Sequence, residues 1–187
     1  GTNGKTTTSY LLKSILEEAG YKVGLVGTIQ NMIGRDVLPA TRTTPESLDL
    51  QRLLARMYDD GVEWVVMEVS SHGIELGRII GCPFDLGVLT NITQDHLDFH
   101  GTFAQYLATK TRFFAQLGRG VGPEKKRSPA AIINGDDEHG RHIGEILSVD
   151  PQAGRVVVQG VNLVKKHKPA TPNQQTRQNN AAGIITT

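Results

Sequence analysis

The chain has 187 residues, of which 38% are hydrophobic and 21% charged, which is typical of a globular protein long enough for one α/β domain. No apolar run reaches the ~20 residues of a membrane-spanning helix, and the single cysteine, Cys82, excludes an internal disulfide, so we expect a cytoplasmic protein without membrane contact. The formal net charge of +1 conceals an asymmetry, because residues 151–187 carry five basic and no acidic side chains, which leaves −4 for the rest and predicts two unlike pieces.

The chain opens on a glycine-rich string of the type that grips phosphate groups, and we call residues 1–7 the phosphate loop. Its glycines let backbone N–H groups turn toward the phosphates, Lys5 can reach the terminal phosphates, and the Thr6 hydroxyl suits Mg²⁺. A helix is predicted directly after the loop and before Gly20, with an apolar stripe of Leu11, Leu12, Ile15, Leu16 and Ala19. A loop that leads into a helix N-terminus binds anions. On its own the string also fits an ordinary glycine-rich turn, and we expect the loop to lack the strand that would anchor it.

Strands and helices alternate along the residues that follow. Apolar runs that end in polar residues predict strands at residues 22–28, 64–69, 86–91 and 130–134. Helices are expected after Thr44 as N-cap with Pro45 in the first turn, after the N-cap Thr102, and over residues 137–147. Their apolar stripes include Leu48, Leu53, Leu54 and Met57 in the first, and Phe103, Tyr106, Leu107, Phe113 and Phe114 in the second. The alternation predicts an α/β fold of the P-loop type, a mostly parallel sheet with helices on both faces.

Polar residues cluster at the predicted carboxyl ends of the strands, where ligands bind in such folds. Glu68 follows an apolar strand at the position of a Mg²⁺ ligand, although a strand-end acid held by backbone donors gives the same pattern. Residues 91–101 contain an asparagine, two aspartates and two histidines, yet loop histidines on a surface are common. Lys110 falls on the next predicted helix, where a solvated lysine is the ordinary interpretation. We nevertheless expect Glu68, His96 and Lys110 to converge near the phosphate loop.

Taken together, these strings resemble the central domain of the Mur ligases over residues 1–145. The resemblance rests on the phosphate loop, Thr43-Thr44-Pro45, Glu68–Gly73 with Arg78, Asn91–Gly101, Lys110 and residues 134–137. The Glu-Val-Ser-Ser-His and Thr-Thr-Pro strings indicate the branch that adds a diamino acid, rather than the sibling ligases or folylpolyglutamate synthases. The resemblance implies an ATP-dependent amide-bond ligase of peptidoglycan precursor synthesis. In that family a substrate carboxylate attacks the γ-phosphate of ATP, and an amine then displaces phosphate from the acyl phosphate.

The same resemblance implies roles for individual residues. The ATP phosphates would be held by Gly1, Thr2, Asn3, Gly4, Lys5, Thr6 and Thr7. Two Mg²⁺ ions would be bound by Thr6, Glu68, His96 and Lys110, the matching lysine being carbamylated in the family, and the catalytic set comprises Lys5, Asn91, His96 and Lys110. A UDP-sugar-peptide substrate would contact Thr43, Thr44, Ser70 and Arg78, and a diamino acid would be the second substrate. We expect a monomer with little or no turnover, because the family's strand before the loop and its carboxy-terminal domain are not in this chain.

Residues 148–187 resemble something different, the middle of a bacterial large-subunit ribosomal protein with an amino-terminal KOW motif. Residues 155–164 alternate toward a β-strand, and the basic cluster at 165–168 would meet ribosomal RNA phosphates. An ordinary basic strand followed by a disordered tail gives the same composition. We expect a domain boundary between residues 147 and 148, with the second piece partly disordered or added to the first as an edge strand or hairpin. A ribosomal RNA-binding fragment is the alternative function.

Overall fold

The structure is a computed structural model in which residues 1–117, 129–141, 143 and 156–159 are described. The helices in this part of the chain are α1 (Lys5–Glu18), α2 (Ser47–Asp59), α3 (Ser71–Glu75), α4 (Leu97–His100) and α5 (Phe103–Ala115). The strands are β1 (Val23–Val26), β2 (Gln30–Ile33), β3 (Asp36–Pro39), β4 (Trp64–Met67), β5 (Leu86–Leu89), β6 (Ala130–Ile133) and β7 (Val156–Gln159). All four predicted strands are present, each shorter than its apolar run.

The strands form two sheets, and the predicted α/β class is confirmed. The first sheet has the order β3-β2-β1-β4, with β1 and β4 parallel, and the second has the order β5-β6-β7, parallel throughout. A single sheet was expected, and the sequence pattern did not predict β2 and β3, which pair antiparallel with their neighbours. Their two-residue turn starts at Gly34, whose φ of 58° suits glycine. This turn is the local signal that would have predicted the hairpin.

Helix α1 follows the phosphate loop as predicted, but it presents a different face to the sheet than its apolar stripe suggested. Leu11 and Ile15 are 59% and 64% exposed, whereas Ser9 and Lys13 are buried. Thr6 explains the rotation, because its hydroxyl donates to Glu68, directly after β4, over 2.9 Å. Residues three and seven positions after Thr6 lie on the same helix face, so they turn inward with it. The tertiary anchor, rather than the apolar stripe, orients α1 on β1 and β4.

Helix α2 begins later than expected. Its N-cap is Glu46, so the prediction that Thr44 caps this helix was wrong, and Leu48 from the predicted stripe is exposed. Met57 is buried against β1, where a Cβ on Gly24 would approach its Sδ to 2.7 Å. The helix ends before Gly61, whose φ is 72°. Glycine at position 24 therefore lets α2 lie close to the sheet.

Helix α5 covers the second sheet and carries the largest buried rings. Thr102 is its N-cap as predicted, and the Thr102 hydroxyl accepts a hydrogen bond from the backbone N–H of Gln105. Tyr106, Phe113 and Phe114 are buried in the core, as the apolar stripe predicted. The rings of Phe113 and Phe114 come so close to Gly87 on β5 that a Cβ there would lie within 3.2 Å of both. This packing fixes how far α5 lies from the end of β5.

The last described strand extends the second sheet. β7 pairs with β6 in parallel register, at the edge of that sheet, so an edge strand is found where one was expected. Residues 138–141 and 143 are helical, as predicted, whereas Asp137 precedes the helix. Residues 142 and 144–147 of the expected helix, and all of residues 148–187 except 156–159, fall outside the described residues. Among the helices described, none has the length and apolar character needed to cross a membrane.

Candidate functional site

A cavity of about 460 Å³ lies where the phosphate loop meets the carboxyl end of β4 and the inner face of α5. The residues that line it come from segments far apart in sequence: Thr2, Asn3, Gly4, Lys5, Thr6, Thr7, Thr28, Thr43, Glu68, Ser70, Ser71, His96, Tyr106 and Lys110. The expected convergence of Glu68, His96 and Lys110 on the loop is therefore present in the structure. The roles assigned to these side chains remain predictions.

The phosphate loop is fastened to the segment that follows β5. The side chain of Asn91 pairs with the backbone of Asn3 in both directions, accepting from its N–H over 2.9 Å and donating to its carbonyl over 3.1 Å. The backbone N–H of Thr2 donates to the Asn91 carbonyl over 2.7 Å. Gly1 packs so tightly that a Cβ would lie 1.9 Å from the Thr90 hydroxyl oxygen. The predicted catalytic residue Asn91 thus serves, in this structure, to hold the loop.

The start of α1 offers unpaired backbone donors to an anion. Gly4, with a φ of 79°, is the N-cap and has no side chain to cap the helix, and the first intrahelical bond runs from the N–H of Thr8 to the Gly4 carbonyl. The N–H groups of the first helical turn therefore have no intrahelical acceptor. Lys5 lies alongside, with its Nζ donating to the carbonyls of Gly1 and Thr2 over 3.1 and 2.7 Å. Burial lowers the pKa of Lys5, although the nearby Glu68 and Asp95 carboxylates oppose the shift.

Glu68 is 2% exposed and holds three loops together. Its carboxylate accepts from the backbone N–H of Thr28 over 3.0 Å and from the Thr6 hydroxyl over 2.9 Å, and the Thr28 hydroxyl lies 3.1 Å away. A Cβ on Gly27 would come within 2.5 Å of its Oε1, so the carboxylate occupies space that only glycine leaves free. One carboxylate surrounded by hydroxyl groups, beside donors for phosphate, is the oxygen-rich setting that Mg²⁺ prefers. Thr6 and Glu68 therefore fit one Mg²⁺.

Lys110 is not a solvated helix lysine, since it is only 4% exposed. Its Nζ lies 4.8 Å from the centre of the Tyr106 ring and 3.4 Å from the Gly1 carbonyl oxygen, to which it donates. Burial, reinforced by the positive charge of Lys5, lowers the pKa of Lys110 to about 8, while Asp95 opposes the shift. A lysine with this pKa has a substantial neutral fraction near physiological pH and can react as an amine.

His96 reaches the cavity from a strained position. Its φ of 53° is the only positive value at a non-glycine residue in the described part of the chain. Its Nε2 lies 3.4 Å from Oδ2 of Asp95, and its ring packs edge-on against His72 at 4.9 Å between centroids. Among residues 1–117, 129–141 and 143, no three His, Cys, Asp or Glu side chains gather around one possible metal position. The second Mg²⁺ site that the resemblance implied, with a carbamylated lysine among its ligands, stays a prediction.

The four predicted substrate contacts fall into two groups. Thr43 and Ser70 line the cavity. Thr44 has no exposed surface: its hydroxyl donates to the Glu68 carbonyl over 3.0 Å and accepts from the Ser70 N–H over 3.0 Å, so Thr44 positions Ser70 rather than facing a ligand. Arg78 is also buried, donating to the Thr44 carbonyl over 3.2 Å and pairing with Glu46 at 2.9 Å. Thr44 therefore has no surface open to a ligand in this structure, and its predicted contact with substrate stays a prediction.

Two side chains in the site escaped the sequence analysis. Thr28 is the second residue after β1, so the rule that selected Glu68 at the end of β4 points to this segment as well. Tyr106 precedes Lys110 by one helical turn but was interpreted only as part of an apolar stripe. Its hydroxyl lies 2.8 Å from the hydroxyl of Thr2, which no local pattern indicates, because the two residues are 104 positions apart.

Comparison with known proteins gives one consistent result. The profile of the Mur ligase middle domain matches residues 1–180. The UDP-N-acetylmuramoyl-L-alanyl-D-glutamate–2,6-diaminopimelate ligase of Caldanaerobacter subterraneus subsp. tengcongensis is 48% identical over 161 residues, 86% of this chain and 30% of that protein. The ligase of the same name from Geobacillus thermodenitrificans is 50% identical over 137 residues, 73% of this chain and 28% of that protein. The chain thus spans less than a third of the length of these relatives.

A solved structure agrees. The structure titled as a UDP-N-acetylmuramoyl-L-alanyl-D-glutamate–2,6-diaminopimelate ligase matches with a TM-score of 0.69 and 31% identity, covering 84% of this chain and 30% of the other. The ribosomal resemblance of residues 148–187 finds no such support, and the family match continues through most of that segment to residue 180. A domain boundary between residues 147 and 148 stays a prediction.

Proposed function

The chain belongs to the Mur ligase family, and we propose that it forms the ATP-binding part of a ligase that joins 2,6-diaminopimelate to UDP-N-acetylmuramoyl-L-alanyl-D-glutamate. The names of its relatives support these substrates. The observation that carries the proposal is the cavity in which the phosphate loop, Glu68 and Lys110 meet. A phosphate-binding loop beside a buried carboxylate and a buried lysine suits the transfer of a phosphoryl group to a carboxylate.

The chain's own residues would act mainly by position and charge. The N–H groups at the start of α1 and the ammonium of Lys5 would bind the β- and γ-phosphates of ATP, and Lys5 would exchange its loop carbonyl acceptors for phosphate oxygens. Thr6 and Glu68 would hold Mg²⁺, which neutralises phosphate charge when bound. Ser70 and Thr43 face the cavity and would contact the substrate, while Arg78 and Thr44 would support them from behind.

The reaction then proceeds in two displacements. An oxygen of the substrate's glutamate carboxylate attacks the γ-phosphorus, the bond to the β–γ bridging oxygen breaks, and ADP leaves. The amine of the diamino acid attacks the carbonyl of the acyl phosphate, and inorganic phosphate leaves as the amide forms and the amine loses a proton. Every reacting oxygen is anionic, so the cationic groups around the cavity lower the barrier electrostatically.

Two finer points belong to the same proposal. The lowered pKa of Lys110, about 8, leaves a fraction of neutral amine, whose nitrogen can attack the carbon of carbon dioxide and form a carbamate with the release of one proton. That change would convert a buried cation into an oxygen ligand beside His96, completing a second Mg²⁺ site that the unmodified side chains do not form. Binding of the second Mg²⁺ ion would therefore depend on the carbamate, because without it the side chains offer this ion too few ligands.

Nucleotide binding by this chain is the direct test. Isothermal titration with a non-hydrolysable ATP analogue and Mg²⁺ should show binding, and Lys5→Ala should weaken it by at least about tenfold, since a charge-assisted hydrogen bond contributes roughly 1.5–3 kcal/mol. Lys22→Ala is the matched control, because that lysine lies outside the cavity and donates to the carbonyl of Asp60. Equal binding by the wild type, Lys5→Ala and Lys22→Ala proteins would refute the assignment of the loop.

A further inference from the structure

We propose that Tyr106 is a positioning residue that fixes Lys110 relative to the phosphate loop, its hydroxyl holding Thr2 and its ring face holding Lys110. Tyr106 is fully buried on the side of α5 that faces the phosphate loop. Tyr106 and Lys110 contact neighbouring residues of the phosphate loop. The phenolic hydroxyl of Tyr106 hydrogen-bonds to the Thr2 hydroxyl, and Lys110 donates to the Gly1 carbonyl. A single rigid side chain thus sets the distance between the lysine and the loop.

The direction of the phenolic hydrogen bond follows from the partners of Thr2. The Thr2 hydroxyl donates to the Thr93 carbonyl over 3.1 Å and accepts from the Thr93 N–H over 3.0 Å. Either hydroxyl can be the donor in the 2.8 Å contact with Tyr106, and the acceptor that the Thr93 carbonyl already offers to Thr2 favours the phenol as the donor. Burial raises the pKa of Tyr106, which keeps that proton in place.

The ring provides the second contact. Tyr106 and Lys110 are four residues apart on α5, so they lie on one face of the helix, and the lysine Nζ is 4.8 Å from the ring centre. That distance is within the range in which a cation is attracted to an aromatic face. The ring contact needs only the aromatic face, and the loop contact needs only the hydroxyl. The two contacts can therefore be removed separately.

The proposal rests on the proposed function in one respect, namely that the loop binds nucleotide. If it does, displacing the loop from Tyr106 should weaken that binding, and the lysine should stay in register with the phosphates only while both contacts hold. The contacts themselves exist without nucleotide. An experiment on the unliganded protein therefore tests the positioning role independently of the ligase assignment.

The test uses Tyr106→Phe, Tyr106→Leu and the control Tyr58→Phe, in which the affected side chain is 82% exposed. NMR of the unliganded protein reads two signals, the Thr93 amide for the loop contact and the ring-current shift of the Lys110 ε-methylene protons for the ring contact. We expect Tyr106→Phe to move the Thr93 amide signal and to keep the ring-current shift of Lys110. Tyr106→Leu should move the Thr93 amide signal and remove the ring-current shift. Tyr58→Phe should change neither signal. An unmoved Thr93 amide in Tyr106→Phe, or equal loss of the lysine shift in both Tyr106 variants, overturns the proposal.

A double-mutant cycle extends the test to the nucleotide. Tyr106→Phe should weaken binding of the ATP analogue by about 3- to 10-fold, as expected for one buried hydrogen bond, and should cause no further loss in a Thr2→Val background. Additive losses would overturn the role, because they would mean that the two residues act separately. If the wild-type protein binds no nucleotide, the proposed function fails, while the NMR signals still decide whether Tyr106 positions the loop and the lysine. The phenylalanine variant retains the core volume, so the test does not depend on Tyr106→Leu folding.

Discussion

The clamp between Asn91 and the phosphate loop makes a quantitative prediction. Asn91→Ala removes the two side-chain hydrogen bonds to Asn3, of 2.9 and 3.1 Å, and keeps the backbone bond from Thr2 to residue 91. Each bond contributes a net ~0.5–1.5 kcal/mol, and water can replace part of it because Asn3 is exposed, so we expect a loss of about 1–2 kcal/mol. The loss falls on the loop conformation that receives phosphate, so affinity for the ATP analogue should drop roughly 5- to 30-fold.

Asn134 provides a matched control. Its side chain also makes two hydrogen bonds, donating to the Thr90 carbonyl over 2.8 Å and accepting from the Asp136 N–H over 3.0 Å, and neither partner belongs to the loop. Asn134→Ala should lower the free energy of unfolding in urea by a similar amount and leave the affinity unchanged. Isothermal titration and urea denaturation of both variants decide the matter. Unchanged affinity in Asn91→Ala, or equal loss of affinity in both variants, would refute the clamp.

Three further predictions concern the floor of the cavity and the buried lysine. Gly27→Ala should displace the Glu68 carboxylate, because the new Cβ would lie 2.5 Å from Oε1. Titration with Mg²⁺ should then show that nucleotide binding no longer depends on the metal. Metal dependence equal to that of the wild type would contradict the role of Glu68. Lys110 loses its proton at about pH 8 in the folded protein and near pH 10.5 when unfolded. The unfolded chain therefore binds more protons between these values, and stability should rise with pH by about 3 kcal/mol in total. Urea denaturation from pH 7 to 10.5 should show a steeper rise in the wild type than in Lys110→Met, in which the lowered pKa of Lys5 still contributes. Identical slopes in the two proteins would refute the burial of a titrating lysine. Thr44→Val should lower the free energy of unfolding by about 1–3 kcal/mol, since it leaves the Glu68 carbonyl and the Ser70 N–H without their buried partner. A thermal melt identical to that of the wild type would show that these hydrogen bonds do not stabilise the fold.

Local rules in the sequence predicted much of the fold. Short continuous apolar runs predicted the bounds of β1, β4, β5 and β6 to within a few residues, because a strand buried on both faces consists mostly of apolar side chains. Thr102 was predicted as an N-cap since a threonine hydroxyl can accept from the N–H three residues later, a bond that lies within one turn. The phosphate loop was identified from the same kind of short-range chemistry, which glycine, lysine and threonine supply at fixed spacing.

Contacts between distant residues decided the rest. The helical period showed that Leu11 and Ile15 share a face of α1, but the hydrogen bond from Thr6 to Glu68, 62 residues away, turned the face with Ser9 and Lys13 inward. Thr44 is a residue type that often caps helices, yet its hydroxyl instead donates to the Glu68 carbonyl and accepts from the Ser70 N–H, both just after β4.

The site shows the same division between sequence and tertiary structure. Residue types and strand ends predicted which side chains would gather, on the expectation of one sheet whose parallel strands end at the same edge. The structure brings them together from two sheets, since Glu68 follows β4 of the first sheet and His96 follows β5 of the second. The pairing of Asn91 with Asn3 and of Tyr106 with Thr2 joins positions 88 and 104 residues apart. Hydrogen bonds of this kind depend on distances of a few tenths of an ångström, and only the packing of α5 against β5 and the loop sets those distances.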